Sequence, residues 1–452
     1  MLSRLLFYIH QFGRFQRNAR LYLISMALSY VTVGIINVLY NLYLTVLGYH
    51  TDFIGLVLFI GTLGAALAIF PAGLCIDYFG GKAVLIWSSV LIGITGTGQM
   101  LFRTPVPLLV SAFIGGIGGA FVLVVNAPFL SLNSSKEEQP HLFSLNIVIS
   151  LIATVIGETL GGLLPLWLGA NARLMGPLPL WLHGALVNQP QARAYQLALL
   201  ISGIIALPSF IPLFMMDDDR ALYQSHRAHN PDHRGFASWS TSGLQALRTR
   251  LKALFTVHSL ARLPSLCISP LMVLTAMYAL IGLGAGLFLP YMNIYFVKTL
   301  GASTALFGSI DATANTLNAL LTLVAPWVAA RAGTLLTLLL PRLLGIPLML
   351  LIGCVPVLPL ASVLYPLRQG LTDMSQGILQ LFSMEEVQLK HRGVANSSYQ
   401  AAYQGFWAIG ASLGGVMIQN FGYPSVFISA AVLYCLSLCL IWWRFRAKPL
   451  PT

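Results

Sequence analysis

The sequence predicts an all-α integral membrane protein whose twelve transmembrane helices form two pseudo-symmetric halves of six. Three observations carry that expectation. The first is composition: 57% of the 452 residues are hydrophobic and 8% are charged, whereas a soluble domain is about 45–50% apolar and about 25% charged. The second is that the apolar runs last about 20 residues or more, long enough to cross a bilayer as a helix. They lack the period-two alternation of a membrane β-barrel. The third is an internal repeat: residues 48–80 and 301–333 keep one offset of 253, at which Gly48, Gly55 and Gly80 meet Gly301, Gly308 and Gly333. At the same offset Gly157-Glu158-Thr159-Leu160-Gly161-Gly162 meets Gly410-Ala411-Ser412-Leu413-Gly414-Gly415, and Asn41-Leu42-Tyr43 faces Asn293-Ile294-Tyr295 with a one-residue slip.

Residues 1–20 place Arg4, Arg14, Arg17 and Arg20 among Leu5, Phe7, Phe12 and Phe15, a basic amphipathic lead-in suited to a membrane surface. The apolar run at 21–47 exceeds a signal-peptide core and no small-residue cleavage site follows it, so it reads as the first span. Further spans are expected at 52–74, 83–101, 106–130, 143–168 and 194–215, completing an N-terminal half over 21–216. A polar segment, 217–267, follows. Its first part to Ser242 reads as flexible, and Leu244, Leu247, Leu251 and Leu254 then mark one face of a helix lying on the bilayer surface. Spans at 268–296, 304–329, 334–354, 357–383, 395–419 and 424–443 give a C-terminal half over 268–444, with a short tail at 445–452. On this layout 19 of the 25 Lys and Arg residues fall on the side of the termini and the central segment. The positive-inside rule then puts both termini in the cytoplasm, in the cell membrane. The outer segment between Gly169 and Ala194 has no counterpart in the second half, and Trp181 is expected to anchor it at the bilayer interface.

The formal net charge of +12 is spread over segments flanking the spans rather than gathered into an aromatic-interleaved patch, so it indicates topology and not nucleic acid. Cys75, Cys267, Cys354, Cys435 and Cys439 lack paired metal-site spacing and read as packing residues. No metal or other cofactor is expected. A nucleotide-binding loop, a nucleophile elbow and a filter segment are all missing from the sequence, which speaks against ATP-driven transport, an enzyme and a channel.

Gly73-Leu74-Cys75-Ile76-Asp77-Tyr78-Phe79-Gly80-Gly81-Lys82 forms a tight turn between the second and third spans. The spacing of Gly73, Asp77, Gly80 and Lys82 resembles the loop signature of the major facilitator superfamily of secondary transporters. The resemblance implies that the acid helps latch the two halves. Tyr78 stands where that family usually carries a base, and the second copy of the loop has Ala330 in place of Asp77. The six-plus-six duplication extends the resemblance over nearly the whole chain, since two like-oriented halves are the pattern of such transporters. Glu158 occupies the place of the proline in the antiporter motif of the fifth span.

An ionisable side chain within a span costs several kcal/mol and is a candidate site by default. Glu158 in the fifth span could load and release a proton as a cavity opens to either side. Asp311 lies near the outer end of the eighth span, and Arg368 and Asp373 lie in the tenth, about 140° apart around the helix. Arg368 needs a partner: a substrate anion, Glu158 or Asp311. Arg342 is expected to snorkel to the inner surface. Asn37, Tyr40 and Asn41 share one face of the first span, Asn315 and Asn318 one face of the eighth, and Gln400, Tyr403 and Gln404 one face of the eleventh. The resulting expectation is a monomeric secondary active transporter that exports a small amphipathic molecule in exchange for protons. The alternatives are proton-coupled uptake of a small polar metabolite or organic anion, and a transport-inactive receptor or scaffold.

Overall fold

The computed structural model describes residues 15–135, 137–179, 182–223, 269–387 and 392–445. The basic lead-in up to residue 14, Trp181, Cys267, the expected surface helix at 243–255 and the tail from residue 446 lie outside them. Helix is the regular structure of the described residues, and twelve long helical segments can be followed in order. In the first half α1 is Arg17–Val46, α2 Thr51–Phe79, α3 Gly81–Leu101, α4 Pro105–Leu132, α5 Gln139–Gly169 and α6 Pro190–Ala206, the last continued through a 3-10 turn to Met215. In the second, α7 is Pro270–Phe288, α8 Thr304–Ala332, α9 Thr334–Cys354, α10 Leu358–Met374, α11 Arg392–Phe421 and α12 Tyr423–Phe445. The path of α7 is broken at Leu289–Tyr291, where Pro290 has no N–H to continue the ladder, and it ends in a π-helical turn at Tyr295–Thr299. After α10 the helix is interrupted at Ser375, which keeps right-handed backbone angles, and the chain runs on as Gln376–Glu385.

Nine helices among the described residues are long and apolar enough to span a membrane. The other three are α10, which is 17 residues long, and α8 and α11; together they hold the polar candidates Asp311, Asn315, Arg368, Asp373, Gln400 and Gln404. Large apolar side chains on outward faces, such as Leu67, Trp87, Leu123, Leu323 and Val363, are more than 60% exposed in this chain. Such a surface suits lipid rather than water.

The packing repeats with the sequence. In the first half α1 packs on α5 and α6, α2 on α4, and α3 on α4 and α6; in the second α7 packs on α11 and α12, α8 on α10, and α9 on α10 and α12. Each pair maps onto its counterpart six helices on. The halves meet along two related seams, α2 with α11 and α8 with α5. Thr51 donates to the Gly415 carbonyl at 2.8 Å and Thr304 to the Gly162 carbonyl at 2.9 Å, the same bond at the 253 offset. A methyl at Gly162 would sit 2.8 Å from the Thr304 oxygen, and one at Gly415 would overlap the Thr51 oxygen, so only glycine lets the backbones approach this closely. The turns repeat too: Gly80 has φ 85° and ψ 162°, Gly333 φ 86° and ψ 152°, left-handed geometry that glycine adopts at no steric cost.

These seams lie at the end of the bundle holding the α1–α2 and α7–α8 turns. There Asn41 Nδ2 also donates to the Pro290 carbonyl at 2.6 Å, and Asn293 Nδ2 to the Val38 carbonyl at 3.0 Å. The opposite end, with the loop at 73–82, is called the basic end below, after the Lys and Arg residues expected there from the sequence. Two expectations need correction. Cys354, Cys435 and Cys439 are exposed free thiols rather than packing residues. Residues 217–223 are docked against the first half and not flexible, as described below.

Candidate functional site

α5 and α8 bring a cluster of polar side chains together across the seam between the halves. Glu158 on α5 is 1% exposed. Its Oε1 accepts a 2.7 Å hydrogen bond from Asn315 Nδ2 on α8, across the seam between the halves. Its Oε2 is buried without a partner among the described residues. One turn before Asn315, Asp311 Oδ1 accepts from the Tyr365 hydroxyl of α10 at 3.0 Å. The spacing i, i+4 holds Asp311 and Asn315 on one face of α8, and Glu158 and Asp311 are close enough to feel each other's charge. Holding two neighbouring carboxyls as anions in an apolar interior is costly, which marks the pair as a candidate site. It joins Glu158 of one half to three side chains of the other.

Arg368 is not part of that group. It is 3% exposed and sits inside the second half, its guanidinium 4.8 Å from the Phe288 ring centre and 5.7 Å from that of Tyr434. Nη2 reaches the Tyr434 hydroxyl at 3.4 Å. Glu158 and Asp311, the two acids expected as its partners, are instead held by Asn315 and Tyr365. Arg342 does not snorkel: it turns inward, donating from Nε to Ser375 Oγ at 2.9 Å and from Nη2 to Gln376 Oε1 at 2.8 Å. Asp373 lies within electrostatic reach of both guanidinium groups.

The neutral candidates divide. Asn41 is committed to the Pro290 carbonyl, Tyr40 is buried with its hydroxyl unpartnered, and Asn318 Oδ1 accepts from Thr322 at 3.2 Å. Asn37, Gln400 and Gln404 are exposed, and Tyr403 is half-buried. α11 therefore has two open faces. Phe406, Ile409, Leu413 and Val416 make one, apolar and suited to lipid. Gln400 and Gln404 make the other, toward the basic end, where amides facing hydrocarbon would lack hydrogen-bond partners. A polar open face on a spanning helix is a candidate lining for a cleft between the halves.

At the basic end the signature loop is engaged by a residue that sequence reasoning passed over. α3 begins at Gly81, and Gly80 has no side chain with which to cap it. Asp219, fully buried, supplies the cap from 137 residues away: its Oδ1 accepts from the Lys82 backbone N–H at 3.1 Å, and Lys82 Nζ donates to the Met216 carbonyl at 2.5 Å. Burial pushes the Asp219 carboxyl above its ordinary range, while the Lys82 N–H pulls it down. Burial and then the Asp219 and Asp77 charges raise the Tyr223 phenol. Arg17 and Asp217 pair at 2.9 Å, and Asn18 bonds Asn133 and the Asp217 backbone. Gly73 and Asp77 are half-buried beside this group. The signal for Asp219 was a run of three Asp residues directly after a span, which reads as a solvated boundary. At the other end, Arg193 is 3% exposed and donates to the carbonyls of Leu174, Gly176, Val187 and Asn188 at 2.6–3.0 Å, tying the outer segment together.

A model of the Major Facilitator Superfamily matches residues 22–387 and 274–452. The nucleoside transporter NupG is 14% identical over 95% of this chain and 100% of its own, with a TM-score of 0.67. A bacterial homologue of the iron transporter ferroportin, in an inward-facing state, is 16% identical over 95% and 99%, also at 0.67. The inward-open xylose transporter XylE from E. coli is 14% identical over 95% and 96%, at 0.65. No curated protein matches the sequence.

Proposed function

Since the chain belongs to the Major Facilitator Superfamily, a family of membrane transporters, we propose that it moves a small amphipathic molecule outward by alternating access in exchange for protons. The observation that carries this reading is the carboxyl pair at the seam: Glu158, bonded across the halves to Asn315, with Asp311 beside it. A proton arriving there changes the charge between two bodies that must separate for the site to open, so occupancy and access are linked. The positive-inside rule makes the basic end cytoplasmic. The open polar face of α11, with Gln400 and Gln404 flanked by Tyr403 and Trp407, then meets cargo from the cytoplasm, and its mix of amides and aromatic rings suits an amphipathic molecule.

The test uses inside-out vesicles with ethidium as probe and an acidified lumen. The expected result is ethidium uptake driven by the pH gradient and lost in Glu158→Gln. Gradient-driven uptake that persists unchanged in Glu158→Gln would remove the acid from the coupling.

A further inference from the structure

At the outer end, opposite the basic end, the two halves do not match, and the mismatches meet at one cavity. It lies beside the α5–α8 seam, takes its walls from both halves and has a volume of about 460 Å³, a size suited to a small ligand or a headgroup. The first mismatch is the connection after α5. Gly422 alone joins α11 to α12, whereas residues 170–189 separate α5 from α6. That segment is held in shape by a buried charge: Arg193 donates to the Leu174 and Gly176 carbonyls at 3.0 and 2.6 Å, and Met175 between them lines the cavity. The second mismatch is the one-residue slip of the repeat between the Tyr43–Tyr295 and Gly48–Gly301 matches. α1 runs on as regular helix to Val46, but in the same interval the second half makes a π-helical turn, at Tyr295–Thr299. Its i to i+5 bonding takes up one residue more than an α turn, and such turns are frequent at functional sites. Val297 and Lys298 of this turn line the cavity from the second half.

The charge of the lining is one-sided. Lys298 is exposed, no acid lines the cavity, and among the described residues no carboxylate pairs with its ammonium. Ser303 Oγ, also in the wall, accepts from the Leu306 N–H at 3.1 Å, which leaves its hydroxyl proton to donate. Leu166, Met175 and Val297 supply apolar wall. The cavity sits at the depth of the lipid headgroups: Leu166 is 46% exposed and Trp167 beside it 62% exposed at the outer end of α5, and tryptophan gathers at that level of a bilayer. We propose that the cavity binds an anionic phospholipid of the outer leaflet, with its phosphate on Lys298 and Ser303 and its first methylenes against Leu166, Met175 and Val297. Lysine is a phosphate binder by point charge. A zwitterionic lipid would bring its own cation to a site that already holds one. Thr304, which makes the seam bond to the Gly162 carbonyl, lines the cavity too, so the walls part when the outer end opens. A lipid bound to both walls therefore favours the closed outer end. It acts on the seam and is not the cargo.

The experiment follows the thermal unfolding midpoint of the purified full chain in phosphatidylcholine nanodiscs as phosphatidylglycerol replaces part of the lipid at fixed ionic strength. The midpoint should rise with saturation. Lys298→Gln should raise the half-saturating mole fraction several-fold, and Lys298→Arg should keep it. Arg173→Gln removes an exposed base of the same end that does not line the cavity and should leave the titration as in the wild type. Soluble glycerol phosphate, which lacks the acyl chains, should give no rise. Spin labels on the outer ends of α5 and α8 should show more of the closed distance with phosphatidylglycerol than without it. A midpoint indifferent to phosphatidylglycerol, a titration unmoved in Lys298→Gln, an equal loss in Arg173→Gln, a rise with glycerol phosphate alone or an unchanged distance distribution would each overturn the proposal.

Discussion

Replacing Asp219 by alanine removes the side-chain oxygen that caps the first turn of α3, and losing such a cap costs about 1 kcal/mol. The expected consequence is local: a spin label at Ala221→Cys, which is exposed, gains mobility in Asp219→Ala and much less in Asp219→Asn, which keeps an acceptor. The same label reports a pH dependence. Because burial holds the Asp219 carboxyl above its ordinary range, the docked segment binds a proton that the undocked segment releases. Docking is then strongest below the ordinary aspartate value and weakens as pH rises toward the raised one. A label whose mobility falls with rising pH would reverse this account. Arg193 offers a second test at this scale. With four carbonyls on one guanidinium, Arg193→Gln should loosen residues 170–189, read as protease cleavage there at least tenfold faster than in the wild type. These residues were hard to read in the sequence for one reason. Asp219, Arg193 and Arg368 draw their partners from other helices or from backbone carbonyls, and neither leaves a local pattern.

The seams between helices were easier to read, because their requirement is steric and recurs at a fixed offset. Glycine at 162 and 415 is demanded by a backbone oxygen at contact distance, and the repeat displays that demand twice. Gly162→Val and Gly415→Val should each force the seam apart at the end holding the α1–α2 turn. Distances between spin labels at that end would lengthen in both variants by a similar amount. Removing only the hydroxyl, with Thr51→Val or Thr304→Val, deletes a bond of about 1 kcal/mol and should shift the population between closed and open about fivefold. If one valine variant opens the seam and the other leaves it closed, the two interfaces are not equivalent despite their matching bonds.

Across the whole molecule, the halves are joined by α2 with α11, α5 with α8, and α1 with the broken end of α7. A chain cut between residues 223 and 269 and expressed as two pieces should therefore reassemble and transport, as measured by co-purification and vesicle uptake. Failure of the pieces to associate would assign the joining role to the connection itself. The layout of twelve helices in two halves was legible from apolar length, charge placement and the repeat, which are properties of long stretches. The site was legible only as a set of costly residues, since which acid meets which amide depends on the packing angle between α5 and α8. That cost bears on how the chain is made. α8, α10 and α11 carry the polar candidates within their spans, and an aspartate adds up to about 2.5–3.5 kcal/mol at the centre of an inserting helix and less toward its ends. As synthesis proceeds from the N-terminus, α5 is already in the bilayer when α8 emerges, so Glu158 is on hand to receive Asn315, whereas Tyr365 comes two helices later. Biogenesis of the second half is then templated by the first, and a ribosome stalled after α8 should leave that helix inserted only while α5 is present beside it.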